Sequence, residues 1–373
     1  MQMSCRPLLS AFLLVAFSLT ACNLAAERSD KHGAHAITDS DNDKITFVVG
    51  SPLVPSPDIE KAQKLYEQAK ELQDHDSNTA KPVELLQKAI ALNGAPRDFW
   101  IQLGDACRTD GKWRKGRCAY RMLLQRDALD ANALVKVAEA SLELQELDEA
   151  QKDALLSLSI RTDQESAWTA LTDTLHATGR DDLIEAIDNL AGEKSGFKGS
   201  QLIGRIVEQM LSQAPQDKRL LQCELLYQMR CYKYDTAMVT ANKLLALYPD
   251  DAIGIIGKAQ ILIAQDQAQA AIDILTPITT DANKQPVAWA VLGDAYAKEP
   301  RNQANLDKAI AAYENATRMR NVDYEWMDIL KDSTKPKQKR SEFLNLIGIG
   351  NWCCCPVAIE QIKDLIALCR DQQ

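Results

Sequence analysis

The sequence predicts an all-α protein, an α-solenoid of helix-turn-helix repeats closed by a C-terminal helical cap. Columns of residues at a single spacing carry the prediction. Trp100, Leu134 and Trp168 lie 34 residues apart, as do Leu103, Val137 and Leu171, and then Gly104, Ala138 and Thr172. After an interruption the spacing returns in Leu221, Ile255 and Trp289, in Leu225, Ala259 and Gly293, and in Gln228, Leu262 and Tyr296. Self-similarity at one fixed period marks a chain built from stacked units. Within each unit the apolar residues recur every three or four positions, which is the period of a helix.

The clearest unit runs Trp289, Leu292, Gly293 and Tyr296, followed by Ala309, Tyr313 and Ala316. It resembles the tetratricopeptide repeat (TPR) signature: a large residue, Leu, a small residue and Tyr on a first helix, then Ala, an aromatic and Ala on a second. The resemblance implies a TPR-like solenoid, in which small residues let the two antiparallel helices approach and bulky ones fill the space between pairs. Tyr234, Ala237, Leu244 and Leu247 fit the second half of another unit, and Pro249 falls where a helix should stop. The resemblance covers about 60 to 320. It weakens in a degenerate first unit (Tyr66, Ala69, Leu86, Ala89) with a polar insertion from His75 to Thr79. It weakens again at Asp188, where an aromatic is usual, and at a loop insertion from Glu299 to Asn305.

The expected organisation places a first array at 58–198, an interrupting helix at 199–217 and a second array at 218–320. Residues 321–373 follow as a basic linker, with Lys331, Lys335, Lys337, Lys339 and Arg340, and two capping helices. The second of these carries Ile359, Ile362, Ile366 and Cys369. A solenoid end exposes apolar surface, so capping is the expected role.

The N-terminus addresses the compartment. Arg6 precedes an apolar run from Leu8 to Leu19 that is short for a membrane span. Leu19, Thr20, Ala21 and Cys22 resemble the lipobox of bacterial lipoproteins. The resemblance implies that 1–21 is a signal peptide and that Cys22 carries acyl chains (palmitate among them), two of which anchor stably. Asn23 follows the cysteine, so the likeness points to the outer membrane, facing the periplasm. Residues 22–57 are rich in Ser, Asp, Asn and Pro and read as a flexible tether. Ile45 to Val49 could pair as a strand, though one strand is not a domain.

A net charge of −9 argues against nucleic acid, which is held by Lys and Arg on phosphates. No nucleophile elbow, zinc-protease helix or phosphate loop is present, so the chain reads as a non-enzyme with no cofactor or metal. Gly254 to Lys258 is too short for a phosphate loop and lies inside a repeat helix. Cys107 and Cys118 sit on the two helices of one unit and could form a bridge, or remain packed thiols. Cys223 and Cys231 share a helix, about 12 Å apart along its axis, and cannot. Cys353, Cys354 and Cys355 match no trusted metal spacing, and a bridge from one of them to Cys369 stays open.

The TPR resemblance implies that binding residues lie on the inner face of the first helices. Carried over by position, the first array offers a polar groove of Asp98, Asp105, Glu139, Glu143 and Asp173. The second offers an apolar groove of Leu226, Met229, Ile253, Ile256, Ile263, Val287 and Val291. The expected function is a lipid-anchored scaffold or adaptor for proteins or peptides in the cell envelope. The apolar groove would take a partner's amphipathic helix, unless the chain's own packing covers it. A second reading is an envelope enzyme with its site in the irregular segments.

Overall fold

The computed structural model describes residues 34–38, 44–49, 56–75, 80–94, 96–190, 193–194, 197–281, 284–299 and 303–318. Helices pair along the chain. α1 (Ser56–His75) and α2 (Ala80–Leu92) form the degenerate first unit. Then come α3 (Arg97–Thr109) with α4 (Trp113–Arg126), α5 (Ala131–Glu143) with α6 (Leu147–Ile160), and α7 (Glu165–Ala177) with α8 (Asp181–Asp188). A single helix, α9 (Phe197–Gln213), intervenes. The second array is α10 (Lys218–Arg230) with α11 (Tyr234–Leu247), α12 (Ala252–Ala264) with α13 (Ala268–Leu275), and α14 (Pro286–Lys298) with α15 (Gln303–Arg318). First helices therefore begin 34 residues apart at Arg97, Ala131 and Glu165, and again at Lys218, Ala252 and Pro286.

The period is visible in hydrogen bonds as well as in helix starts. Trp100 donates from its indole to Gly94 O at 3.0 Å, and Trp168 to Thr162 O at 2.8 Å, so one sequence column closes the loop ahead of each first helix. Asp130, Asp217 and Asp251 each cap a first helix by accepting from the backbone N–H three residues on. Two of these caps also join neighbouring units: Arg97 reaches Asp130 at 2.8 Å, and Lys218 reaches Asp251 at 3.0 Å. The five described turns inside units each hold one left-handed residue, at Gly111, Gln145 and Gly179, then at Tyr232 and Asp266. In these turns the following N–H returns to a carbonyl five residues back, as Lys112 does to Cys107 and Glu146 to Ser141.

Where two helices of a unit cross, a glycine meets an aromatic ring. A Cβ added to Gly104 would lie 2.2 Å from the ring of Tyr120, and one added to Gly293 would lie 2.7 Å from that of Tyr313. Tyr120 is 1% exposed and its hydroxyl is held by Asp105 at 2.7 Å, so its ring cannot swing aside. Tyr313 is held likewise by Asp294 at 2.6 Å but is only half-buried. Gly104→Ala is therefore expected to lose about 2–3 kcal/mol in urea unfolding, and Gly293→Ala about 1 kcal/mol. Equal losses would show that burial of the tyrosine does not set the cost.

Two features correct the expected organisation. The segment read as a tether contains an antiparallel hairpin of β1 (Ala34–Thr38) and β2 (Lys44–Val48), with Ala34 opposite Val48 and Thr38 opposite Lys44. Phe47 and Val49 are buried, and Phe47 meets Trp100 edge-on at 5.4 Å between centroids. Composition showed the polar residues here but not the apolar surface of α2 and α3 waiting for the alternate ones. The second feature is the fold-back. α9 pairs with α10, and α10 packs directly on α6, so the second array closes over the outer helices of the first. The expected C-terminal cap, residues 321–373, lies outside the described residues, as do Cys22 and the signal peptide. No helix among the described residues is long and apolar enough to cross a membrane.

Candidate functional site

The two predicted grooves have opposite fates. In the second array Leu226, Met229, Ile253, Ile256, Ile263, Val287 and Val291 are each 4% exposed or less. All but Met229 belong to one core cluster that also holds Leu129, Leu155, Leu156, Leu158 and Ile160 of the first array. This corrects the expectation of an open apolar groove. α10 packs on α6, which is buried from Lys152 to Ile160, and the turn between α4 and α5 reaches the residue ahead of α14. At that turn Ala128 N–H donates to Gln285 Oε1 at 3.4 Å.

A polar seam, which sequence reasoning missed, frames this contact. Lys152 bridges Asp148 at 2.6 Å and Asp217 at 2.7 Å, and Arg219 holds Asp153 at 2.8 Å and also Glu149. Arg230 donates to the last carbonyls of α6, Ser159 O at 2.7 Å and Ile160 O at 2.8 Å. Nearby on α4, Arg117 is fully buried and grips Glu146 at 2.6 and 3.1 Å and Ser141 Oγ at 3.1 Å. Burial pushes the Asp153 carboxyl up, against the pull of Arg219. In the sequence Lys152 and Asp153 stand just ahead of Ala154 to Ile160, which is apolar apart from Ser157 and Ser159, and their burial is visible only in the structure. Buried charge at a repeat's outer helix points to a second layer above it.

Among the described residues nothing buries the acidic positions read from the first array. Asp98, Glu143 and Asp173 are exposed on α3, α5 and α7, and Asp105 and Glu139 are half-buried. Lys136 joins the last two, 3.9 Å from Asp105 and 3.4 Å from Glu139, while Arg108 approaches Asp105 at 3.7 Å. Asp98 lies beside Tyr66, whose phenol is pushed up by burial and by that carboxylate. The arrangement is a mixed, net acidic surface across three parallel helices, suited to donors and cations of an extended segment.

Asp294 is the repeat partner of Asp105, but it is 8% exposed and accepts from Tyr313 at 2.6 Å. Desolvation raises its carboxyl to about 6, against the opposing pull of the Tyr313 hydroxyl. A raised acid binds its proton in the folded chain before the unfolded one does, so its contribution to stability grows as pH falls from about 6 to 4. Asp294→Asn is expected to remove roughly 1–3 kcal/mol of that rise, read as the wild-type minus variant difference in melts between pH 4.5 and 7. A constant difference across that range would contradict it.

Cys107 and Cys223 are buried free thiols, Cys118 is buried as well, and Cys231 is half-exposed and free. The bridge considered for Cys107 and Cys118 is therefore not formed. Burial pushes Cys107 up to about 11 and Cys223 up to about 12, which keeps both protonated and unreactive. Cys353, Cys354, Cys355 and Cys369 lie outside the described residues. No three His, Cys, Asp or Glu among the described residues gather as a metal set.

No family model matches the sequence, and no curated protein matches it significantly. Solved structures similar to it include a tetratricopeptide repeat protein from Parabacteroides merdae, at 15% identity and a TM-score of 0.34, covering 77% of this chain and 99% of that one. Yeast Tom70 is similar at 14% identity and 0.29, covering 84% and 77%. The TPR2AB domain of yeast Sti1, in a complex with pHSP90, is similar at 14% and 0.28, covering 69% and 99%. Overlaps this low carry no residue-level inference. The helix starts, caps and turns recurring at 34 residues decide the architecture. The fold is a TPR-type α-solenoid.

Proposed function

We propose that this chain is a lipid-anchored TPR scaffold or adaptor of the bacterial cell envelope, taking proteins or peptides on the inner face of its first array. The observation that supports the reading is a contrast among the described residues: the apolar positions of the second array are buried, while Asp98, Glu143 and Asp173 of the first are exposed in a polar, net acidic setting. A partner's amphipathic helix would need the closed groove, so the favoured ligand is an extended segment with basic and hydrogen-bonding side chains. Cys22, acylated after removal of 1–21, would hold the protein on the outer membrane, facing the periplasm. No step of this role requires catalysis or a cofactor.

Glu143→Lys with Asp173→Lys, both at exposed positions, should leave the melting temperature unchanged and cut crosslinking to envelope partners at least about tenfold, with a steep salt dependence for the wild type. Undiminished crosslinking would move binding elsewhere. In parallel, Cys22→Ser should abolish labelling by a clickable palmitate analogue in growing cells, and equal labelling would remove the anchor from the proposal.

A further inference from the structure

We propose that the β1–β2 hairpin is a tether stop, docked on the first array so that the lipid anchor holds the solenoid on a short leash. The inference rests on the anchorage of Cys22 proposed above. Ile45 and Phe47 of β2 and Val49 just beyond its end alternate, and all three join the core that includes residues of α2 and α3. Phe47 is 2% exposed and covers Trp100, itself fully buried. A two-stranded hairpin is marginal alone in water, so its folding and its docking are one equilibrium, held by this contact. Docked, the hairpin leaves twelve residue steps between Cys22 and Ala34, a reach of at most about 40 Å. Released, the free chain would run to Ser56, and the reach would rise to about 120 Å. The hairpin therefore restricts the open face to partners close to the bilayer.

Trypsin judges the docking on the full chain, whether or not it is acylated. It is expected to cut after Arg28 and Lys31 at least about tenfold faster than after Lys44 of β2. Phe47→Ala should erase that protection. Thr46→Pro, which breaks the ladder while leaving Phe47 in place, should erase it too, and it guards against a variant that unfolds the first array. Wild-type cleavage at Lys44 as fast as at Lys31 would overturn the proposal. The leash is read on acylated chain in phosphatidylethanolamine–phosphatidylglycerol vesicles, with a donor installed at position 88 of α2 and a rhodamine lipid as acceptor. Energy transfer should fall at least about twofold in both variants. Transfer unchanged while Lys44 becomes accessible would overturn the leash. If wild-type chain leaves the vesicles as readily as Cys22→Ser, the anchor reading fails and takes the leash with it, while the protease result still decides whether the hairpin is docked.

Discussion

Ile256→Asp is expected to unfold the second array and not merely to weaken partner capture. Ile256 is fully buried, in a cluster that also holds Leu155 and Leu156 from the first array and Val287 and Val291 from α14. The substitution removes a well-packed side chain and places a carboxylate in a cluster of buried apolar residues. Losing the aliphatic burial alone costs about 2–5 kcal/mol, and an unpaired buried charge adds several more or forces protonation. Against a typical total stability of about 5–15 kcal/mol, this removes most or all of the folded population. Circular dichroism and a urea titration would show an early, broadened transition. A variant melting within about 2 °C of the wild type would mean that the cluster around Ile256 opens in solution, and the apolar face would then return as a candidate site.

The contrast between the two faces explains what the sequence could and could not disclose. The columns through Trp100, Trp168, Gly104 and Gly293 were legible because each position repeats one local role, either closing a loop or admitting a ring. These roles depend on neighbours within a unit and recur with it. The fate of Ile253, Ile256 and Val291 depends on residues about a hundred positions away, and an apolar inner-face residue looks the same whether it awaits a partner or meets α6. The sign of the fold-back is buried charge on α6, at Lys152 and Asp153, and only the structure shows that burial. The hairpin was half legible for a related reason. The apolar alternation of β2 and the residue just beyond it shows in Ile45, Phe47 and Val49, whereas Ala34–Thr38 carries too little of its own to announce a strand. The acidic residues of the first array were legible as residues, but only the structure showed that Lys136 ties Asp105 to Glu139 while Asp98, Glu143 and Asp173 are exposed.

Arg117→Met should be the other large loss, and for an electrostatic reason. The guanidinium has no solvent exposure and grips Glu146 with two hydrogen bonds, while one of its nitrogens also reaches Ser141 Oγ. Glu146 stands just after Gln145, the left-handed residue of the turn between α5 and α6, so the pair fixes that turn against α4. Removing the cation strands a carboxylate that is only 23% exposed and cannot fully rehydrate without opening the turn. Breaking a buried pair from one side costs about 3–5 kcal/mol, whereas replacing both members by apolar groups is often neutral. Arg117→Met is therefore expected to lose about 3–4 kcal/mol in urea unfolding, and adding Glu146→Leu should recover at least half of it. Raising salt should change the single-variant loss little, since buried pairs are poorly screened. Arg117→Lys keeps the charge but not the fork that matches the carboxylate, so its loss should fall between those of wild type and Met. If Arg117→Met and the double variant lose the same amount, the stranded carboxylate is not the cause, and the cost lies in the packing of the Arg117 stem between α4 and α5.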